Sequence, residues 1–348
     1  MFTEENPPKS ICILRLSAIG DVTHVIPVIN AIKKQWPQVT ITWICGALEY
    51  KLLSCLPDIR FVVFYKSGGL KAYLNIKKQL AGERFDLMLH MHASARANLL
   101  SMLIRAKIKL GWDDDNARDL HRFFIDKKIR AVKERHQVQG YLEFARTIGI
   151  EVEEPEWDLP VSDEDMVFAR QHLGGTSSVL LISACSSHYL RNWKPERYAQ
   201  VADYAVEKLD MTVVLSGGPS KLEEEMGLAI ESAMANKAIN MVGKDTLLQL
   251  SAMLKCADVV ISPDSGPVHI ANAVGTRVIG LYACTKSNRS GPYCYLDLCV
   301  DKYAEAANIF LNKNVNELAW NNKIELEGVM DLITVDDVIK KLNMLFDA

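Results

Sequence analysis

The feature that most narrows the possible folds is an alternation of apolar runs with amphipathic segments, repeated along the chain. Its first instance is "ILRLSAIGDVTHVIPVINAIKKQWP", Ile13 to Pro37. An apolar strand enters a turn with one glycine, Gly20, and the residues beyond it place Val22, Val25, Ile26, Ile29, Ile32 and Trp36 on one helical face. The spacing predicts one helix from Val22 to Trp36, ended by Pro37. Then come "VTITWIC", "IRFVVFY", a helical "LKAYLNIKKQLAG", "DLMLHMH", a helical "RANLLSMLIRA" and "KIKLGW". Strands alternating with helices of this length imply a parallel sheet with right-handed crossovers.

A second series follows the acidic, proline-containing "EVEEPEWDLPVSDED", which reads as a linker. Its strands are "VLLISAC", "MTVVLSGG", "DVVISPDSG" and "RVIGLYA"; its helices are "PERYAQVADYAVEKL", "KLEEEMGLAIESAMA", "TLLQLSAMLKCA" and "PVHIANAVG". The expected class is α/β. Two Rossmann-like domains, residues 1–158 and 159–334, are expected to face a central cleft, with ligands at the carboxyl ends of the strands. The tail "TVDDVIKKLNMLFD" puts Val335, Val338, Ile339, Leu342 and Leu345 on one face, with Asp336 and Asp337 in the first turn. A helix over 335–347 is expected, packing back on the first domain.

Composition bounds the function classes. The 348 residues suffice for two domains with substantial cores. The start "MFTEENPPKS" is polar and acidic, unlike a signal peptide, and no window nears the roughly 18 apolar residues of a membrane span. A cytosolic protein is expected. Eight cysteines without a C-x-x-C pair read as reduced thiols, and Cys294 and Cys299 lack convincing zinc spacing. Charge is unevenly divided: residues 1–150 hold 23 Lys and Arg against 14 Asp and Glu, a net +9, whereas 151–348 hold 17 against 29, a net −12. The basic half suits an anionic partner such as a nucleic acid, a phosphosugar or an anionic membrane face; solvated surface charge is the plainer account of the acidic half.

Three constellations could carry chemistry. In "DVVISPDSGPVHIANAVG" a strand ends near Ser262, Asp264 sits at its mouth, and Ser265 and Gly266 open a helix bearing Pro267 and His269. Amides at such a helix start suit a diphosphate; alternatively Asp264 is an ordinary cap and His269 a core histidine. In "SSHYLRNWKPERY", Ser186, Ser187, Arg191 and Lys194 follow another strand end and could hold phosphate oxygens without a metal, or be a solvated loop. From Asn116 to His136 seven Lys and Arg face three acids, and Arg118 and Arg122 lie beside Leu120, Phe123 and Phe124. That mixture suits an amphipathic anionic acceptor or an interfacial segment, or else a charged surface. A nicotinamide oxidoreductase would need G-x-G-x-x-G after the first strand, which "LSAIGDVTH" lacks.

Together, "LRLSAIGDVTHVIPV", "ACSSHYLRNWKPERY" and "SPDSGPVHIANAVGTRVIGLYACT" resemble the bacterial lipopolysaccharide heptosyltransferases, glycosyltransferase family nine, over nearly the whole chain. Within that family the chain is most similar to enzymes that add the first heptose to Kdo of the inner core. The resemblance implies a GT-B fold and metal-independent, inverting transfer without a cofactor, from ADP-L-glycero-D-manno-heptose to Kdo-lipid A. It implies a cytoplasmic enzyme, peripheral at the anionic inner-membrane face, with no nucleic acid partner. It makes Asp21 the general base and Arg191 the counterpart of a phosphate-binding lysine. Asp264, Ser265, Gly266 and His269 become the donor turn, aided by Ser186, Ser187 and Lys194, and Glu223 a ribose contact. Ser17, Arg96, Arg118 and Arg122 are the expected acceptor-binding residues. Two departures stand out: Arg191 replaces the usual lysine while Lys194 is inserted before Pro195, and Ser265 replaces a common threonine. An aspartate with the ordinary pKa of about 4 is ionised at neutral pH and can take a proton from an attacking hydroxyl. The competing readings are a heptosyltransferase of type II or III, another nucleotide-sugar transferase, and a bilobal sugar-binding protein.

Overall fold

The structure is a computed structural model that describes residues 2, 3, 5–173 and 178–346. The chain divides into two units, Met1–Pro160 and Val161–Ala348. Residues 1, 4, 174–177 and 347, which the expected domains and tail helix include, lie outside the described residues.

In the first unit the strands are β1 Ser10–Leu14, β2 Thr40–Gly46, β3 Ile59–Phe64, β4 Phe85–His90, β5 Ala106–Gly111 and β6 Lys127–Lys128. They form one parallel sheet in the order β3-β2-β1-β4-β5-β6. In the second unit they are β7 Val179–Ser183, β8 Thr212–Ser216, β9 Ile239–Asn240, β10 Val259–Pro263, β11 Arg277–Tyr282 and β12 Val300–Asp301. Their order is β12-β11-β10-β7-β8-β9, again parallel. Both sheets follow the same path, third-second-first-fourth-fifth-sixth. The winding reverses between β1 and β4 and between β7 and β10, which opens a crevice at the carboxyl end of each pair.

The apolar runs become central strands because helices cover both faces of such a sheet. Ile11, Ile13, Leu14, Val259, Val260 and Ile261 are all 0% exposed, and burying each such side chain contributes about 1.5–3 kcal/mol before entropy is counted. The expected helix from Val22 to Trp36 is broken in two, Ile19–Thr23 and Ile26–Gln35. Pro27 is the cause, since it has no N–H to bond the Thr23 carbonyl four residues back. Trp157 satisfies that carbonyl instead, its indole N–H donating to Thr23 O at 3.1 Å. The expected apolar face survives the break, with Val22, Val25 and Ile26 fully buried.

The acidic stretch is not all linker. Asp163, Glu164 and Asp165 form the first turn of a helix, Asp163–His172, and the Ser162 hydroxyl accepts from Asp165 N–H at 3.1 Å. The terminal helix, Val335–Phe346, also departs from expectation. It packs on the helix Pro195–Leu209, and Val338 and Leu342 are fully buried in the second unit's core. Its entry is fixed there too, because Trp193 and Arg197 both donate to the Ile333 carbonyl. The stripe expected to cover the first domain is thus used within the second unit.

Candidate active-site residues

In the first unit Asp21 follows β1 on the helix Ile19–Thr23, at the crevice edge. Its Oδ2 accepts from Arg15 Nη2 at 2.5 Å and from Ala18 N–H at 3.2 Å. Its Oδ1 is approached by the Tyr141 hydroxyl at 3.4 Å. The carboxylate is thus held from three sides, by a guanidinium, a backbone amide and a phenol. Arg15 is only 12% exposed, and Asp21's charge keeps its guanidinium protonated against the cost of burial. Arg15 Nη1 also donates to the Met91 carbonyl at 2.7 Å, tying the loop after β1 to the loop after β4. Between these loops, His92 Nδ1 accepts from Leu16 N–H at 3.2 Å. Burial, reinforced by Arg15's charge, pushes His92 down to about 3. The ring is neutral at physiological pH, and its proton sits on Nε2 because Nδ1 is an acceptor. The end of β2 closes in at Gly46, where an added Cβ would lie 2.6 Å from the Leu16 carbonyl.

In the second unit Arg191 lies in the loop after β7 and reaches Asp264, which follows β10. Arg191 Nη1 is 3.1 Å from Asp264 Oδ2, while Nη2 and Nε donate to Glu325 Oε1 at 2.6 and 2.9 Å. One guanidinium thus spans two carboxylates. Glu325 is held below the usual carboxylate range: its bonds to Arg191, with the charges of Arg191, Lys323 and His188, outweigh burial. Ser186 Oγ donates to the Asp264 carbonyl at 2.8 Å and links the same two loops. Ser265 is the N-cap of the helix Gly266–Ala273, but its hydroxyl lies 2.8 Å from Ser262 Oγ rather than capping. The helix's first amides have no carbonyl of their own turn to bond, which suits an anion.

A family model for "Glycosyltransferase family 9 (heptosyltransferase)" matches residues 73–320. The chain is 39% identical over 345 residues to the lipopolysaccharide core heptosyltransferase OpsX of Haemophilus influenzae, covering 99% of each. This chain belongs to glycosyltransferase family 9. It is a glycosyltransferase. Its fold matches a family 9 glycosyltransferase of Veillonella parvula, with a TM-score of 0.80, 23% identity and 97% of each chain covered. It also matches the Escherichia coli ADP-heptose LPS heptosyltransferase II, with a TM-score of 0.73, 17% identity, 97% of this chain and 98% of that one. The fold class is GT-B, carried here by two parallel-sheet α/β units.

In this family 9 chain the sequence candidates divide by environment. Arg191 and Asp264 meet directly, whereas Lys194 is 57% exposed and turned to Asp331 at 2.8 Å. Ser187 is exposed, and His269 is buried on the helix Gly266–Ala273. Glu223 folds back on its own turn, accepting from Gly218 N–H at 2.9 Å and from Ser220 Oγ at 2.6 Å. Nearby Asp245 is pushed up to about 7, chiefly by burial. Ser17 lies in the loop after β1, Arg96 on the helix Ala95–Ser101, and Arg118 and Arg122 beyond β5. The three arginines are exposed, with no ion-pair partner within 4 Å among the described residues. Sequence reasoning missed Arg15, His92, Tyr141 and Glu325. Arg15 left a local sign, a charge interrupting "ILRLS" at a strand end. Tyr141 and Glu325 left none, being 120 and 134 residues from the groups they bond.

Proposed function

We propose that this family 9 glycosyltransferase transfers L-glycero-D-manno-heptose from ADP-heptose to Kdo of lipid A, with inversion, during assembly of the lipopolysaccharide inner core. The lipopolysaccharide core assignment of OpsX, 39% identical over the whole length, supports the pathway. The ADP-heptose in the name of the E. coli structural relative supports the donor. The observation that carries the mechanism is the Asp21 carboxylate, placed just past β1 at the sheet reversal and held in position by Arg15, Ala18 N–H and Tyr141.

In the proposed step the Kdo hydroxyl attacks the anomeric carbon and gives its proton to the Asp21 carboxylate. The new bond forms between that oxygen and the anomeric carbon. The bond to the diphosphate oxygen breaks, and ADP leaves with the electron pair. Arg191 and the amides at Ser265 and Gly266 stabilise the charge gained by ADP. Asp264 positions Arg191, while Arg96, Arg118 and Arg122 meet acceptor anions. The enzyme works at the cytoplasmic face of the inner membrane as a peripheral protein; no helix among the described residues is long and apolar enough to cross a membrane.

The test is ADP release from ADP-heptose with and without Kdo-lipid A. Release that depends on Kdo-lipid A is expected. Release only with a core that already bears heptose would move the chain to the second or third transfer, and release with neither would overturn the reading.

A further inference from the structure

Two helices of the first unit seal one face of its sheet and leave an apolar outer face. The helix Gly69–Gln79 buries Ala72 and Ile76, and the helix Ala95–Ser101 buries Ala97 and Leu100, all in one core cluster with Leu14, Val62 and Met88. Residues two positions on from a buried one are rotated about 200° around a helix and point away from the sheet. At those positions stand Leu74, 64% exposed, and Leu99 and Met102, 54% and 64% exposed; Leu70 is 82% exposed. Because both helices bury their inner faces in the same cluster, these outer residues face the same way. Tyr73 Oη donates to the Arg96 carbonyl and joins the two helices.

The surface continues into the turn His121–Phe124, docked on the second helix: Ala95 N–H donates to Asp119 Oδ2 at 2.9 Å, and Asn98 to the Asp119 carbonyl at 2.8 Å. His121 is buried against Asn98, while Leu120 and Phe123 stand out at 69% and 67% exposure. Exposed apolar side chains on three adjacent elements exceed the isolated ones of an ordinary surface. Beside the turn, basic Arg118, Arg122, Lys127 and Lys128 alternate with Asp119 and Asp126, but around the two helices the exposed apolar residues have charged neighbours of one sign. Lys66, Lys71, Lys77, Lys78 and Arg96 are interspersed with them, and the chain has no Asp or Glu from 66 to 82 or from 87 to 112. The Arg122 guanidinium lies 4.7 Å from the Phe123 ring centroid, with an apolar body and a cationic tip.

The geometry points to this surface, formed by the helices Gly69–Gln79 and Ala95–Ser101 and the turn His121–Phe124, as the face that docks on an anionic phospholipid bilayer, with Leu70, Leu74, Leu120 and Phe123 entering the headgroup boundary. Charge complementarity selects the occupant. A surface of leucines, methionine and phenylalanine among lysines and arginines matches a layer that is apolar within and anionic at its rim. On the two helices, which carry Leu70, Leu74 and Leu99, no carboxylate balances that charge. The inference rests on the proposed lipid-linked acceptor, since docking brings the enzyme to the plane where that acceptor lies.

The experiment uses the full chain with vesicles of phosphatidylethanolamine and phosphatidylglycerol, and separately with phosphatidylcholine alone. Binding to the anionic vesicles only, weakening as salt shortens the Debye length, is expected. The double variants Leu70→Ser/Leu74→Ser and Leu120→Ser/Phe123→Ser should each weaken binding at least about tenfold, from the apolar area withdrawn. Ile309→Ser, at a site 58% exposed in the second unit, should leave binding unchanged. Transfer to a deacylated, water-soluble Kdo acceptor should be the same in wild type, Ile309→Ser and Leu70→Ser/Leu74→Ser, whereas transfer to vesicle-borne acceptor falls in the two doubles. Equal binding of wild type and doubles, no wild-type binding, or a lipid-free dimer that the doubles abolish would each overturn the docking face. Failure of transfer to every Kdo acceptor would instead strike the proposed reaction and leave the vesicle result standing.

Discussion

Each unit pairs an arginine with an aspartate at its sheet reversal, but the balance of charge is opposite. In the first, one arginine, Arg15, is pinned to one carboxylate, Asp21, which the Tyr141 hydroxyl also approaches at 3.4 Å. In the second, Arg191 is shared by Asp264 and Glu325, so the cation is the scarce group. A positioned carboxylate just past a strand end suits taking a proton; an arginine flanked by two acids suits exchanging one of them for a diphosphate. The same winding order thus supports a base in one unit and an anion site in the other.

The sharpest way to break this contrast is Asp21→Asn, which keeps an acceptor for Ala18 N–H and removes the base. Turnover should fall by roughly 100- to 10,000-fold with ADP affinity unchanged, as measured by initial rates and calorimetric titration. Near-normal turnover would remove Asp21 from the chemistry. Next in size, Arg191→Ala should weaken ADP binding by about 10- to 100-fold, the worth of charge-assisted hydrogen bonds, while Lys194→Ala, already turned to Asp331, changes it less than about threefold. A reversed order would make Lys194 the diphosphate cation. Smaller again, Glu325→Gln keeps a partner for Arg191 but deletes a negative charge, so ADP should bind about 3- to 10-fold more tightly. Weaker binding would show that ionised Glu325 is needed to place Arg191.

The smallest effect separates the units by pH. His121 and His92, pushed down by burial to about 4 and about 3, take up protons more readily when unfolded. The stability they leave intact above the unfolded value of about 6.5 is lost as pH falls below it. Asp245, raised to about 7, does the reverse: it keeps its proton in the fold and loses it unfolded, so stability present at low pH declines as pH rises from about 4 to 7. Calorimetry from pH 5 to 8 should show the first unit's transition falling on acidification and the second's rising. Parallel movement would refute the assignment.

Much of this organisation was legible in the sequence because it is local. "DVVISPDSG" and "PERYAQVADYAVEKL" carry their own periodicity and termini, and the strands and helix lie where those patterns put them. Asp21 and Asp264 could be singled out because a carboxylate just past an apolar strand is at the sheet edge by geometry. The helix broken at Pro27 was hidden because its apolar face is continuous across the break, and the compensating group, Trp157, is 134 residues away. The terminal helix announced its stripe but not what would cover it, since an apolar face alone does not name its partner. Glu325 was invisible for the same reason.

The bond from Trp157 to the carbonyl left by Pro27 does more than mend a helix. With Lys34 and Asn30 both holding Glu156, it staples the outgoing chain to the first unit as far as residue 157, and the next helix is already capped at Ser162. The connection between the units is thereby shortened to four residues, 158–161, with Leu159 buried and Pro160 fixing one torsion. Loss of the Trp157 indole would therefore release the connecting chain and strand the Thr23 carbonyl at once, so that one side chain secures both the linker's start and the break in the first unit's helix.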